Sequence, residues 1–338
     1  MKIRIRTPAR LHFTLIDMNG EIGRLDGSLG LTISDPGSEF ELCHSSEPEI
    51  TGAQAGITPR LERELRECAA ALNVSPSVEV KVVRLIPEHQ GLGSATQHHL
   101  ALLSGLARLY GRSLSWPEII KLSRRGGTSG IGTYAFLQGG LLVDGGHRRL
   151  TVKSDFLPSH FCPTIDAPPL ILRQDFPSTW RVILFIPHSL QGLEGASEKR
   201  FMEKNTPLPR SEVASVCHLI LMRLLPALCE QDIKTFGEAV DELQTVGWKR
   251  RHWEREDIKS LRQVKGLFSQ AGFYGCGLSS TGATLFGFAP DLEQAEKGRL
   301  RLKELFLETQ ARDHPVPEGR LLITEANNTG TAFETSPL

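Results

Sequence analysis

Pro87-Glu88-His89-Gln90-Gly91-Leu92-Gly93-Ser94-Ala95-Thr96-Gln97 is the stretch on which the reading of this chain turns. Upstream, Val78-Glu79-Val80-Lys81-Val82-Val83 alternates apolar and polar residues, the period of a half-buried strand. Downstream, Leu100, Leu103, Ala107 and Tyr110 recur at helical spacing until Gly111, a natural stop. The local order is strand, glycine loop, helix. Gly91 and Gly93 let the backbone approach an anion closely, and Ser94 and Thr96 add hydroxyls where the free N–H groups of the helix emerge. Taken alone, a GxG is better explained as a tight strand-to-helix turn, so its surroundings must decide.

Working outward, Lys2-Ile3-Arg4-Ile5-Arg6 alternates as a strand. Pro117 opens a short helix through Arg125 that Gly126-Gly127 ends, and Thr128-Ser129-Gly130-Ile131-Gly132 is a second small-residue loop. Residues 158–187 are rich in proline, include Pro168-Pro169, and run into the apolar strand Val182-Ile183-Leu184-Phe185-Ile186. The boundary between two lobes is placed near residue 170. Helical patterns at 211–229, 232–247, 254–271 and 291–311, with strand-like pieces near 283–288 and 320–325, predict an α+β second lobe with an antiparallel sheet. The organisation read from the sequence is 1–170, 171–326 and a loose tail over 327–338.

At 338 residues the chain fits about two domains of roughly 100–200 residues each. Lys plus Arg equals Asp plus Glu at 39 each, so no global field favours nucleic acid or an anionic membrane. The 6 cysteines show no CxxC pair, which fits reduced thiols in the cytoplasm better than a disulfide frame or a zinc site. The charged, alternating N-terminus is unlike a signal peptide, and no uninterrupted apolar run of membrane-spanning length is read, so neither export nor insertion is expected.

Three motifs recur in order: Pro8-Ala9-Arg10-Leu11-His12, the loop from Pro87 to Ala95, and Gly275-Cys276-Gly277-Leu278-Ser279-Ser280-Thr281-Gly282-Ala283-Thr284. Together they resemble the signature of the GHMP kinase superfamily. That resemblance implies a two-lobed α+β fold, ribosomal protein S5-like first and ferredoxin-like second, with the ligand between the lobes. Two departures bear on chemistry. Ala95 stands where these kinases carry a second serine that helps organise magnesium. Gly132 ends Ser129-Gly130-Ile131-Gly132 where several carry a catalytic aspartate, and a glycine supplies no general base.

The same stretches, with Arg125 to Gly132, Gly139-Gly140, Asp144-Gly145-Gly146-His147, Asp155-Phe156-Leu157-Pro158-Ser159 and Gly247-Trp248-Lys249-Arg250, resemble one branch of the superfamily over nearly the whole chain. This branch is the β-ribofuranosylaminobenzene 5′-phosphate synthases of methanopterin biosynthesis. The resemblance implies that 5-phosphoribosyl diphosphate and 4-aminobenzoate combine with release of diphosphate and CO2. It also implies Mg²⁺ as cofactor and a homodimer. Within it, Gly91, Leu92, Gly93, Ser94, Ala95, Thr96 and Gln97, then Gly126, Gly127, Thr128, Ser129 and Gly130, then Ser279, Ser280, Thr281 and Gly282 are expected to bind phosphate or substrate. Such a reaction asks the protein chiefly for orientation and electrostatic stabilisation, because CO2 leaves the ring carbon in place of a proton.

Single residues carry alternatives. Arg10 and His12 lie two apart on a strand and share a face; they are the catalytic candidates, with a solvated strand end as the alternative. His98 and His99 point about 100° apart on a helix, so at most one is expected to reach a ligand. Asp26-Gly27-Ser28-Leu29-Gly30 reads as a turn near the cleft or a plain hairpin turn, and Asp144 and His147 flank glycines that a hairpin alone explains. Lys249-Arg250-Arg251-His252 reads as a solvated helix end or an approach to diphosphate, and Glu198-Lys199-Arg200 as a mobile lid. Two functions remain open beside the transferase: an ATP-dependent small-molecule kinase and a non-catalytic ligand-binding homologue.

Overall fold

A computed structural model describes residues 1–162, 165–310 and 316–337. Pro163 of the proline-rich stretch, the last residue of the helix expected over 291–311, and Leu338 lie outside the described residues.

The first lobe is built on two long antiparallel strands, β1 (Lys2–Asp17) and β2 (Arg24–His44). Short β3 (Glu49–Thr51), helix α1 (Thr58–Leu72) and β4 (Val78–Arg84) follow. The glycine loop then leads into α2 (Ser94–Leu109), with α3 (Trp116–Ser123) and α4 (Ile131–Leu137) behind it. Strands β5 (Leu141–Asp144), β6 (His147–Arg148) and β7 (Leu170–Gln174) complete the lobe. Strand β2 is the hub: its second half pairs with β4, its first half with β5, and both halves pair with β1. The register of β1 and β2 breaks between Thr7 and Ala9, and this bulge changes which core the strand serves. Before it, Ile3 and Ile5 pack with Leu100, Leu103 and Leu106 of α2; beyond it, Ala9, Leu11 and Phe13 join a core shared with the second lobe. Strand β1 thereby spans both cores.

The second lobe opens with β8 (Arg181–Pro187) and the helices α5 (Gly195–Asn205), α6 (Arg210–Leu219), α7 (Leu225–Cys229), α8 (Ile233–Leu243), α9 (Gly247–Trp253) and α10 (Lys259–Gln270). It closes with β9 (Tyr274–Leu278), β10 (Leu285–Ala289), α11 (Leu292–Gln310) and β11 (Gly319–Thr324). The antiparallel sheet runs β11-β8-β10-β9, so its first strand lies between its fourth and third, the order of the ferredoxin-like split βαβ. Phe286 of β10 stacks on Phe13 of β1, Phe288 packs tilted against it, and Phe236 of α8 joins Phe288, fusing the two sheets through one aromatic core.

Four expectations are corrected. The tail is not loose: β12 (Ala332–Ser336) pairs antiparallel with β1 and adds an edge to the first sheet, with Phe333 beneath the Arg108 guanidinium. The lobe boundary does not fall at 170, because β7 pairs with β5 and keeps residues to Gln174 in the first sheet. Asp26 to Gly30 is no turn but the start of β2, held between β1 and β5. The single helix expected over 211–229 widens into a π turn at Ile220–Leu224, just before Pro226, whose missing N–H cannot continue the α ladder. That run, Arg210–Cys229, is long and apolar enough by length and composition to cross a membrane, although Arg210, Glu212, His218 and Arg223 interrupt it; its inward side, Val216, Ile220 and Leu224, belongs to the shared core.

Candidate active site

The glycine loop is built by its position between the two lobes. Gly91 and Gly93 hold φ of +73° and +85°, and Gly93 caps α2, which begins at Ser94 with its first N–H groups free of helical partners. The Arg10 guanidinium donates to the Gly91 carbonyl, and the Arg10 N–H donates to the Leu92 carbonyl at 3.0 Å. The Ser279 hydroxyl donates to Gly91 O at 2.6 Å and accepts from His12 N–H at 3.0 Å, while Ser280 N–H donates to His12 O at 2.9 Å. Three segments far apart in sequence are thus stitched together at one loop.

They enclose a cavity of about 280 Å³. Its polar lining is the glycine loop, Thr96, Arg10, His12, Lys249, Thr128, Ser129, Ser280 and Thr281, and Leu15, Met202 and Trp248, neighbours in one cluster, are among its apolar lining. Charge is unbalanced here. Burial pushes the Arg10 guanidinium down to about 10, which leaves it charged near neutrality. Burial, with Arg10 and Lys249 beside it, holds the His12 imidazole well below its usual range, so it is neutral. Lys249 is 1% exposed, and its amine donates to Leu278 O at 2.5 Å and Ser280 O at 2.6 Å, with no acidic partner in ion-pair reach among the described residues. Burial, then Arg10 and Arg255, hold its pKa well below the ordinary lysine value. A buried amine and a guanidinium with no direct ion pair among the described residues, and only Glu198 near Arg10, favour an arriving anion.

Glu198, on the first turns of α5, is the one carboxylate of the cavity wall among the described residues. Burial raises its pKa to about 7, against a lowering by Arg10. The segment before α5 folds over the loop: Gly192 N–H donates to His89 O at 2.7 Å, and the Thr281 hydroxyl donates to Leu193 O at 3.1 Å.

The second small-residue loop is fixed from beneath by two buried polar networks. The Lys153 ammonium donates to Asp26 Oδ2 at 2.8 Å, Gly127 O at 2.8 Å and Leu157 O at 2.9 Å, and His147 Nδ1 shares the same Asp26 oxygen at 3.0 Å. Beside it, the Asp144 carboxylate accepts from Gly130 N–H at 2.9 Å, Gly146 N–H at 3.0 Å and the Ser28 hydroxyl. Gly132 sits on α4 against Thr96 of α2, where a side chain's first carbon would lie 3.2 Å from the threonine methyl.

Of the residues named from sequence, Arg10, His12, Gly91 to Thr96, Thr128, Ser129, Ser280 and Thr281 come together on the cavity wall. Others stand behind it. Gln97 is fully buried and donates to Gly132 O at 2.7 Å. Gly126 and Gly127 pack closely against Ala167 and Cys162, and Gly130 against Tyr134, where a side chain would not fit. Ser279 spends its hydroxyl on Gly91 and His12, and Gly282 packs near Leu278. Neither His98 nor His99 lines the cavity: His98 bonds the Ser38 hydroxyl at 2.8 Å and His99 lies against Cys68. Lys249 is no solvated helix end, whereas its neighbours Arg250 and Arg251 do reach the surface side and pair with Glu212. The apolar patch of Leu15, Met202 and Trp248 was not legible, because nothing in the sequence marks these three as neighbours.

Residues 60–140 match the GHMP kinases N terminal domain, and residues 224–307 match the GHMP kinases C terminal domain. The chain is 38% identical over 338 residues to a β-ribofuranosylphenol 5′-phosphate synthase of Archaeoglobus fulgidus, covering 98% of this chain and 99% of that one. It is 37% identical over 293 residues to a protein of the same name from Methanothermobacter thermautotrophicus, covering 85% and 88% of the two chains. Among solved structures, a homoserine kinase from Cytophaga hutchinsonii superposes with a TM-score of 0.65 at 16% identity, covering 98% of this chain and 97% of that one, a likeness of fold alone.

Proposed function

The chain belongs to the β-ribofuranosylphenol 5′-phosphate synthases of the GHMP kinase superfamily, and on that premise we propose that it joins 5-phosphoribosyl diphosphate to a benzoate bearing a para electron donor, releasing diphosphate and CO2, in the assembly of a methanopterin-type carrier. The carrying observation is the composition of one cavity. It brings free helix N–H groups, Arg10 and the buried Lys249 into one lining together with the apolar patch of Leu15, Met202 and Trp248. The first set suits the phosphates of the sugar donor, and the patch suits an aromatic ring.

As diphosphate departs, positive charge develops at the sugar C1. The ring carbon bearing the carboxylate attacks it, driven by the para donor, and loss of CO2 restores aromaticity. The protein's part is to align the two reactants and to hold the leaving charge with Arg10, Lys249 and the start of α2. No base at the ring carbon is needed, in keeping with Gly132. The sequence reading gives the acceptor as 4-aminobenzoate; the relatives' name ends in phenol, which favours 4-hydroxybenzoate as a second reading. An amine and a hydroxyl push electrons to the same carbon.

Mg²⁺ belongs to the same proposal. Among the described residues no cluster of three His, Cys, Asp or Glu could cage a metal, but Mg²⁺ is commonly held by one or two carboxylates together with substrate phosphates. Glu198, on the wall and with no direct ion pair among the described residues, fits that role. Bound there, the ion would neutralise charge on the diphosphate. A homodimer in the cytoplasm completes the reading, with sedimentation as the check on its size.

The test incubates the folded protein with Mg²⁺, 5-phosphoribosyl diphosphate and either carboxyl-labelled benzoate, following labelled CO2 and diphosphate together. Stoichiometric release supports the transferase. No release from either acid refutes it; consumption of Mg·ATP with a sugar or polyol would then assign a kinase, and tight binding without turnover a ligand-binding homologue.

A further inference from the structure

Ser129 lies on the cavity wall, yet its hydroxyl proton is committed elsewhere. The Ser28 and Ser129 oxygens are 2.7 Å apart, and the Ser28 hydroxyl donates to Asp144 Oδ2. Ser28 and Asp144 are 0% and 1% exposed, so neither has water as an alternative partner. An ionised carboxylate only accepts hydrogen bonds, which fixes the direction of the whole chain. Ser28 gives its single proton to Asp144; the bond between the two serines must then be donated by Ser129. Ile131 N–H fills one lone pair of Ser129 Oγ at 3.2 Å, which leaves one lone pair for the cavity. Burial raises the Asp144 carboxyl to about 6, while Ser28 and the N–H groups of Gly146 and Gly130 lower it, so it is ionised at neutral pH.

A serine wired in this way cannot donate to a phosphate oxygen. It is an acceptor, and its partner must bring a proton. We propose that Ser129, oriented by Ser28 and Asp144, binds a neutral O–H or N–H donor of the substrate, a ribose hydroxyl or the para hydroxyl or amine of the aryl acid, and not a phosphate. This rests on the reading of the cavity as the site of phosphoribosyl diphosphate and an aryl acid. It also gives the buried carboxylate of Asp144 a route to the wall of the very loop in which Gly132 supplies none.

The experiment compares Ser129→Ala, Ser28→Ala and the parent protein. Calorimetry with inorganic diphosphate reads the phosphate contacts without turnover. Steady-state kinetics then use the full substrates, donors lacking the ribose 2- or 3-hydroxyl, and an acceptor whose para group is methylated and has no proton to give. Expected are a diphosphate Kd within about twofold of the parent for both variants, and a kcat/KM lowered about tenfold or more by Ser129→Ala, the scale of one hydrogen bond. Ser28→Ala, which frees Ser129 to rotate, follows in the same direction with a smaller loss. Whichever modified substrate shows no further loss with Ser129→Ala identifies the donor. The proposal is overturned if Ser129→Ala weakens diphosphate binding about tenfold, if it leaves kcat/KM unchanged, or if every modified substrate loses as much with the variant as with the parent. Should the parent not turn over, the transferase reading fails by itself. Binding of ribose 5-phosphate and of each aryl acid to the same variants then applies the same criteria.

Discussion

Replacing Gly91 by alanine tests whether the loop works as the seam between the lobes. At φ +73° an L side chain costs roughly 1–2 kcal/mol. The new methyl would fall inside contact distance of Ser279 O and 2.8 Å from Gly282 O, both backbone atoms that no rotamer change can move. Relief requires the loop to part from the Ser279 to Gly282 segment, which breaks the bonds that Gly91 O receives from Ser279 and Arg10, about 1 kcal/mol each. The expected cost is therefore about 3–4 kcal/mol in urea unfolding. Diphosphate affinity in calorimetry should fall at least about tenfold, because Arg10 and the start of α2 no longer converge. Gly266→Ala is the control: it lies mid-helix in α10 with open space around it, and should stabilise by roughly 0.5–1 kcal/mol. A Gly91→Ala protein that unfolds and binds diphosphate like the parent would refute the account of the loop as a seam.

Lys249→Met removes the buried amine, and diphosphate affinity should fall by about tenfold or more, ~1.4 kcal/mol, as read by calorimetry; unchanged affinity would remove Lys249 from the anion site. Glu198 titrates at about 7, so below that pH a bound proton competes with Mg²⁺; the Mg²⁺ concentration giving half-maximal activity should fall as pH rises towards about 7 and level off above it. Glu198→Gln should need more Mg²⁺ and lose this pH dependence, and an unaltered Mg²⁺ profile would exclude it as a ligand. Lys153→Met leaves the fully buried Asp26 carboxylate with His147 alone, a loss of about 3–5 kcal/mol in urea unfolding; a change below about 1 kcal/mol would show that the cluster does not hold the second loop.

Local pattern made much of the fold legible. The alternation in β1 and β4, the helical period of α2 and its stop at Gly111 are written within short windows, because strand and helix impose periods on neighbouring residues. The failures are equally local in origin. The tail over 327–338 reads as polar and loose, yet β12 is an edge strand whose pairing with β1 supplies the order its composition does not suggest. Lys249 sits among basic residues that look solvated, and only the packing of α9 against β9 and the Ser280 loop separates it from Arg250 and Arg251.

For the site, the sequence by itself determined the chemical parts: a glycine loop at a helix start, Arg10 and His12 on one strand face, and Gly132 where a carboxylate would otherwise stand. Tertiary structure alone decided which parts share a cavity and what each can do there. Ser279 reaches Gly91 across 188 positions, Lys153 reaches Asp26 across 127, and Ser28 reaches Asp144 across 116. Such contacts leave no periodic trace in the chain. They also set the properties that matter most, since the neutrality of His12, the buried amine of Lys249 and the direction of the Ser129 hydroxyl all follow from burial and partners that exist only once the lobes have closed on each other.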